Sequence, residues 1–121
     1  MPNAWVSVDP PEPLTEWETR VIARLTPDAG RLAIDALRVT DRCGCGCSSV
    51  GFSDVEHYPA AEAEGSDADG LAIWVMLFAD HGETTLATLD VLRADGQPIQ
   101  ELPPVDALQI TTVSAWTGAG S

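Results

Sequence analysis

The residues best suited to chemistry lie in one short run, Cys43-Gly44-Cys45-Gly46-Cys47-Ser48-Ser49, which holds all three cysteines of the chain. Three thiols at two-residue spacing admit metal binding, redox chemistry or simple packing. In an extended strand, residues two apart lie roughly 6.6 Å apart along the chain and share a face. Cys43, Cys45 and Cys47 then line one face, with Gly44 and Gly46 on the other. A straight strand cannot wrap three thiolates around one tetrahedral zinc, whose sulfur ligands sit about 2.3 Å from the metal. A coiled loop can, and glycine permits the coiling. Zinc wants a fourth ligand, and the only histidines, His57 and His81, or a nearby carboxylate would supply it. Thiolate-only sites also suit copper(I). The spacing differs from the paired C-x₂₋₄-C knuckles of zinc fingers.

A redox role needs an accessible, acidified thiol. Arg42 favours the Cys43 thiolate, the acidic surroundings oppose it, and C-x-C is not the thioredoxin-type C-x-x-C. In the packing reading, cysteine acts as a small hydrophobe. Val50 and Phe52 share parity with the glycines. An unbroken strand that buries them turns the cysteines outward, whereas a bulge near Ser48-Ser49 lets both groups face inward. No catalytic residue emerges elsewhere. Ser48 and Ser49 lack a G-x-S-x-G context, His57 and His81 read as ordinary surface residues, and Gly44 and Gly46 do not open a helix as a phosphate loop requires.

Around this segment the chain alternates between helix and strand signals. Residues 4–8 suit a short strand, and Asp9-Pro10-Pro11-Glu12-Pro13 reads as an extended linker. Thr15-Glu16-Trp17-Glu18 is a capping box that opens a helix to about Leu25, with Trp17, Val21 and Leu25 as its buried stripe. Thr26-Pro27 suggests a second helix start, with Leu32, Ala33, Ala36 and Leu37 inward. A strand pattern begins at Val39 and runs through the cysteines to Phe52. Residues 54–70 hold six acids and no Lys or Arg, and read as a mobile loop. Leu71–Phe78 is nearly continuous apolar sequence, expected to be a central strand covered on both faces, with Trp74 in the core. Thr84–Arg93 is a pairing strand with Leu86, Leu89 and Val91 inward. Asp95-Gly96 is a turn, residues 108–116 suit an edge strand, and 117–121 form a frayed tail.

Composition narrows the partners. The net charge is −13, and all six basic residues are arginine. Residues 20–42 hold five arginines against three aspartates, a net of +2, whereas residues 43–121 hold twelve acids against Arg93 alone, a net of −11. Nucleic acid and anionic membrane surfaces both need a basic footprint, which this chain does not supply. A basic protein partner is electrostatically allowed, but the preferred reading of the charge is an acidic face that simply keeps the protein soluble. No apolar run approaches the roughly 20 residues of a membrane span, and the N-terminus has no signal-peptide pattern. The odd cysteine count suits a reducing cytoplasm.

Arg42-Cys43-Gly44-Cys45-Gly46-Cys47-Ser48-Ser49-Val50 resembles the R-C-x-C-G-C-x-S-[IV] signature of a functionally uncharacterised group of small bacterial proteins, mostly actinobacterial. Leu86 to Leu92, followed by Asp95-Gly96-Gln97-Pro98-Ile99, is similar to that group's L-x-x-L-E-V-Y … D-G-x-P-[IV] segment. The resemblance covers residues 14 to about 108. It departs at Asp90, where the group has Glu, and at Leu92, where it has Tyr. It implies one compact α+β domain and no particular activity.

Together these readings predict a single domain over 1–121, with 1–13 as an extension and Pro-rich linker. The expected fold is α+β: one or two N-terminal helices packed on a mostly antiparallel sheet of three to five strands. The expected function is that of a non-enzymatic acidic interaction protein, of immunity or mobile-element-inhibitor type, without a cofactor. The alternatives are a zinc or copper(I) protein using Cys43, Cys45 and Cys47, and a small thiol redox protein.

Overall fold

Thr15 starts the main helix as its chemistry dictates. Its hydroxyl accepts from the Glu18 amide at 3.1 Å, and Glu18 Oε1 accepts from the Thr15 amide at 2.8 Å, closing the capping box. In the computed structural model, which describes residues 5–44 and 48–118, this helix is α1 (Glu16–Leu25). It buries Val21, Ile22 and Leu25 completely. A short second helix, α2 (Arg31–Asp35), begins after Gly30 rather than at Thr26-Pro27, and it buries Ile34. Leu32, expected inward, is 85% exposed.

Apart from one 3-10 turn, the other regular elements among the described residues are strands. The strands are β1 (Trp5–Pro13), β2 (Arg38–Cys43), β3 (Val50–Gly51), β4 (Tyr58–Ser66), β5 (Ala72–Ala79), β6 (Leu86–Arg93) and β7 (Gln109–Thr112). They form one antiparallel sheet in the order β1-β2-β3-β6-β5-β4-β7. A 3-10 turn at Val105–Ala107 precedes β7.

This overturns the expected α+β arrangement of helices on three to five strands: seven strands dominate, and the first of them precedes both helices. The two strands beyond five are β4 and the one gained where the expected 39–52 strand divides into β2 and β3; β1 is also longer than expected. The proline-rich 9–13 segment is the second half of β1, where Glu12 and Pro13 sit opposite Val39 and Arg38. An outermost strand tolerates proline because one of its sides needs no donors. The acid-rich 54–70 segment, expected to be a loop, contains β4. Its Ala61 and Ala63 face inward while Glu62 and Glu64 face outward. Alanine carries little strand propensity, so the alternation there had no bulky residue to announce it.

The core lies on one face of the sheet. Val50, Ala61, Ala63, Ile73, Val75, Leu77, Leu89 and Val91 meet Val21, Ile22, Leu25 and Ile34 of the helices. β5 is hydrogen-bonded on both sides, to β4 and β6, but buried on one face only. Its alternate residues Trp74, Met76 and Phe78 point the other way, and Trp74 is 46% exposed, not core. β2 ends at Cys43, and the chain reverses so that β3 pairs back on β2. The cysteine run is therefore not one continuous strand through Phe52. Just beyond β3, the amides of Phe52 and Ser53 both donate to Ala87 O. Among the described residues, no helix is long and apolar enough to cross a membrane.

Candidate functional site

The sheet face opposite the helices is the distinctive surface. Cross-strand register places Asp41, Gly51 and Thr88 in one row, Glu62, Met76 and Asp90 in a second, and Glu64, Trp74 and Leu92 in a third. Trp5, Trp74 and Leu92 are exposed on this side, at 39%, 46% and 37%. Apolar and acidic side chains thus interleave across a surface that the helices leave open.

The arginines are committed elsewhere. Arg20 pairs with Asp106, and Arg24 donates to the carbonyls of Val105 and Leu108. Arg31 pairs with Asp35, and Arg38 donates to the carbonyls of Asp35 and Leu37. Arg42 reaches Glu12 and Glu18, both at 3.4 Å. Arg93 holds Asp67, Asp69 and Asp95. Among the described residues, none of these six arginines forms an ion pair with Asp41, Glu62, Glu64 or Asp90.

At one end of this face lies a cleft of about 400 Å³ lined by Trp5, Asp41, Gly51, Ser53, His57, Thr88 and Asp90. β2 supplies Asp41, β6 supplies Thr88 and Asp90, and Trp5 comes from the outermost strand. The segment after β3 brings Ser53 and His57. His57 Nδ1 lies 2.8 Å from Val55 O, and the ring packs edge-on to Phe78 at 5.5 Å. Ser53 Oγ donates to Leu86 O at 3.0 Å. Beside Gly51 lies the Asp41 side chain, whose Cβ and Oδ2 would be 3.5 and 3.6 Å from a Cβ added at that position.

Asp90 is the unusual group. Its Oδ1 is shielded from solvent and has no hydrogen-bond partner among the described residues. Burial pushes its carboxyl up from the ordinary range, against the opposing pull of the Thr88 hydroxyl and His57. The sheet therefore holds a carboxylate whose charge is incompletely compensated from within.

Three of the five residues expected to act, Cys43, His57 and His81, are described. Cys43 is half-buried, pairs across the sheet with Trp5, and its amide donates to Ser49 O at 3.0 Å. It lies on the strand face of Asp41, opposite the face of Arg42 and Val50. Cys45 and Cys47 lie outside the described residues. His57 sits in the acidic cleft, whereas His81 stacks on Tyr58 at 3.8 Å in the turn after β5. Among the described residues, no three His, Cys, Asp or Glu side chains are gathered closely enough to hold a metal ion. Ser49 has a structural role: its buried hydroxyl accepts from the Val91 amide at 2.9 Å, where β3 is too short to do so.

The sequence reading missed Trp5, Asp41 and Asp90. A signal for Asp90 existed, since a lone acid between Leu89 and Val91 must point away from the core in an alternating strand. Comparison with family models, with curated proteins and with solved structures finds no match to this chain.

Proposed function

We propose that this protein is a non-enzymatic acidic interaction protein that holds a basic polypeptide on the outer face of its sheet. One observation carries the reading: the arginines are engaged elsewhere, which leaves Asp41, Glu62, Glu64 and Asp90 unmatched among the exposed side chains of Trp5, Trp74 and Leu92. Exposed tryptophans supply the large contact area from which binding hot spots are built. Unmatched carboxylates steer a cationic partner and set its register. Inhibitor or immunity roles would use such a surface, and the partner would carry complementary lysine and arginine.

The test is titration of an Arg/Lys-rich peptide at rising salt, with Glu62→Gln/Glu64→Gln and Trp74→Ala variants alongside. Affinity should fall about tenfold or more between 50 and 300 mM salt, as screening shortens the reach of the carboxylates. Both variants should weaken binding. Salt-independent binding, or binding untouched by either variant, would sink the proposal.

A further inference from the structure

Building on that interaction surface, we infer that the cleft between Trp5 and Asp90 is a guanidinium pocket that takes one arginine side chain of the basic partner. If the interaction reading fails, the pocket can still be tested on its own. Two carboxylates, Asp41 and Asp90, line the same cleft as the Trp5 ring. Asp90 lines this cleft, and its solvent-shielded Oδ1 has no partner among the described residues, so a turn of the carboxylate toward the cleft would bring it a donor. A buried acceptor in that state calls for a donor, and a charged donor meets the demand best.

Guanidinium fits this constellation better than ammonium does. It is planar and weakly hydrated, it carries several donors in a fixed fork, and it stacks on an aromatic face. Ammonium is a compact, strongly hydrated charge that loses more on entering a half-enclosed cleft. Gly51 provides the access. A methyl group added there would come to 3.5 Å from Asp41 Cβ and 3.6 Å from its Oδ2, so it would occupy the floor without a clash. Backbone at that position can therefore be approached closely by a flat ligand, which a larger residue would prevent.

The experiment follows amide and indole resonances of the intact chain while N-acetyl-arginine amide, its lysine counterpart and its neutral citrulline counterpart are added at low salt. The arginine compound should shift Gly51, Thr88, Asp90 and the Trp5 indole saturably, with a dissociation constant on the order of millimolar for so small a ligand. Lysine should bind about threefold weaker or worse, and citrulline should produce no saturable shift, because the pocket selects charge and shape together. Asp90→Asn should weaken arginine binding about tenfold, as loss of a charge-assisted bond predicts. Gly51→Ala should weaken it without altering any charge.

Citrulline or lysine matching arginine would overturn the pocket, as would arginine that leaves the cleft resonances unmoved. If the Arg/Lys-rich peptide still binds in a salt-dependent way when single arginine does not, the pocket falls and the interaction surface stands. If neither binds, both fall. Arginine binding in the cleft without peptide binding supports the pocket and removes the polypeptide partner.

Discussion

Arg93 donates to Asp67 Oδ2 at 2.8 Å, and the Asp67 side chain is wholly removed from solvent. The same carboxylate accepts from the amides of Ala68, Gln100 and Glu101 at 2.7–2.8 Å. One residue thereby ties the turn after β4 to the end of β6 and to the segment that leads toward the 3-10 turn. Burial by itself would raise the Asp67 carboxyl. The amides of Gln100 and Ala68, the Arg93 guanidinium and the Glu101 amide outweigh it and hold the group far below the usual range.

An acid whose pKa is lowered by folding contributes stability above its unfolded value, near 3.9, and loses that contribution as pH falls through the folded value. Asp69, Asp80 and Asp95 are also held low, so they add in the same direction. The protein should be steady from about pH 5 to 7 and lose stability steeply below about pH 4. Asp67→Asn should be less stable than the parent at neutral pH, and the gap should narrow in acid. Urea unfolding at pH 3, 5 and 7 measures it; a gap that widens in acid contradicts the assignment.

Asp90 should behave in the opposite sense. Its carboxyl is raised in the fold, so the unfolded chain gains more from ionisation once the pH passes about 3.9. Above that point the native state carries a penalty that is absent below it. Asp41 and His57 are the titratable groups that share its cleft. Asp90→Asn should therefore melt higher than the parent at pH 7 and nearly with it at pH 3. The variant should gain stability while losing arginine affinity, the pairing expected of a site residue kept at a cost to the fold. A lower melting temperature at pH 7 would show that Asp90 stabilises the sheet.

Leu77 and Trp74 separate the two faces of β5. Leu77 is fully buried, so Leu77→Ala should cost about 2–5 kcal/mol. Trp74 is 46% exposed, and Trp74→Ala should cost only about 1 kcal/mol or less. Equal losses would mean that the outer face is covered. From sequence, the apolar run that contains both residues implied cover on both sides. Periodicity cannot distinguish a doubly buried strand from one whose outer face is apolar because it meets a partner.

Legibility elsewhere followed the strength of the local signal. The Thr15 capping box and the Leu89–Val91 alternation were readable because a few adjacent residues determine them. β4 and the second half of β1 were not, since alanine, glutamate and proline argue locally against a strand and only pairing decides the matter. The cleft was less readable still: Trp5, Asp41, His57 and Asp90 lie far apart in sequence and meet only through the register. The part that was read well is also testable. Thr15→Ala should cost about 1 kcal/mol, whereas Glu18→Gln should retain the box and lose the pairing with Arg42. Chemical denaturation of both variants checks this; an undiminished Thr15→Ala would mean the cap is redundant.

Gly65 and Gly70 predict different kinds of failure for the same added methyl group. At Gly65, in β4, a Cβ would lie 2.8 Å from Leu108 Cδ2 and 3.0 Å from Pro103 Cγ. The leucine end can move but the proline ring is stiff, so Gly65→Ala should cost about 1–3 kcal/mol by overpacking. At Gly70, in the turn before β5, nothing lies within 4 Å of the added carbon, but φ is +89°. Gly70→Ala should cost about 1 kcal/mol through backbone conformation alone. Asparagine, which tolerates positive φ better than alanine, should recover part of the loss at position 70. It should make position 65 worse, because it is larger. Shortening Leu108 should relieve Gly65→Ala and leave Gly70→Ala unchanged, a coupling that a double-mutant cycle reads directly. No coupling between Leu108 and Gly65→Ala would place the cause in the backbone there and refute the packing account of β4.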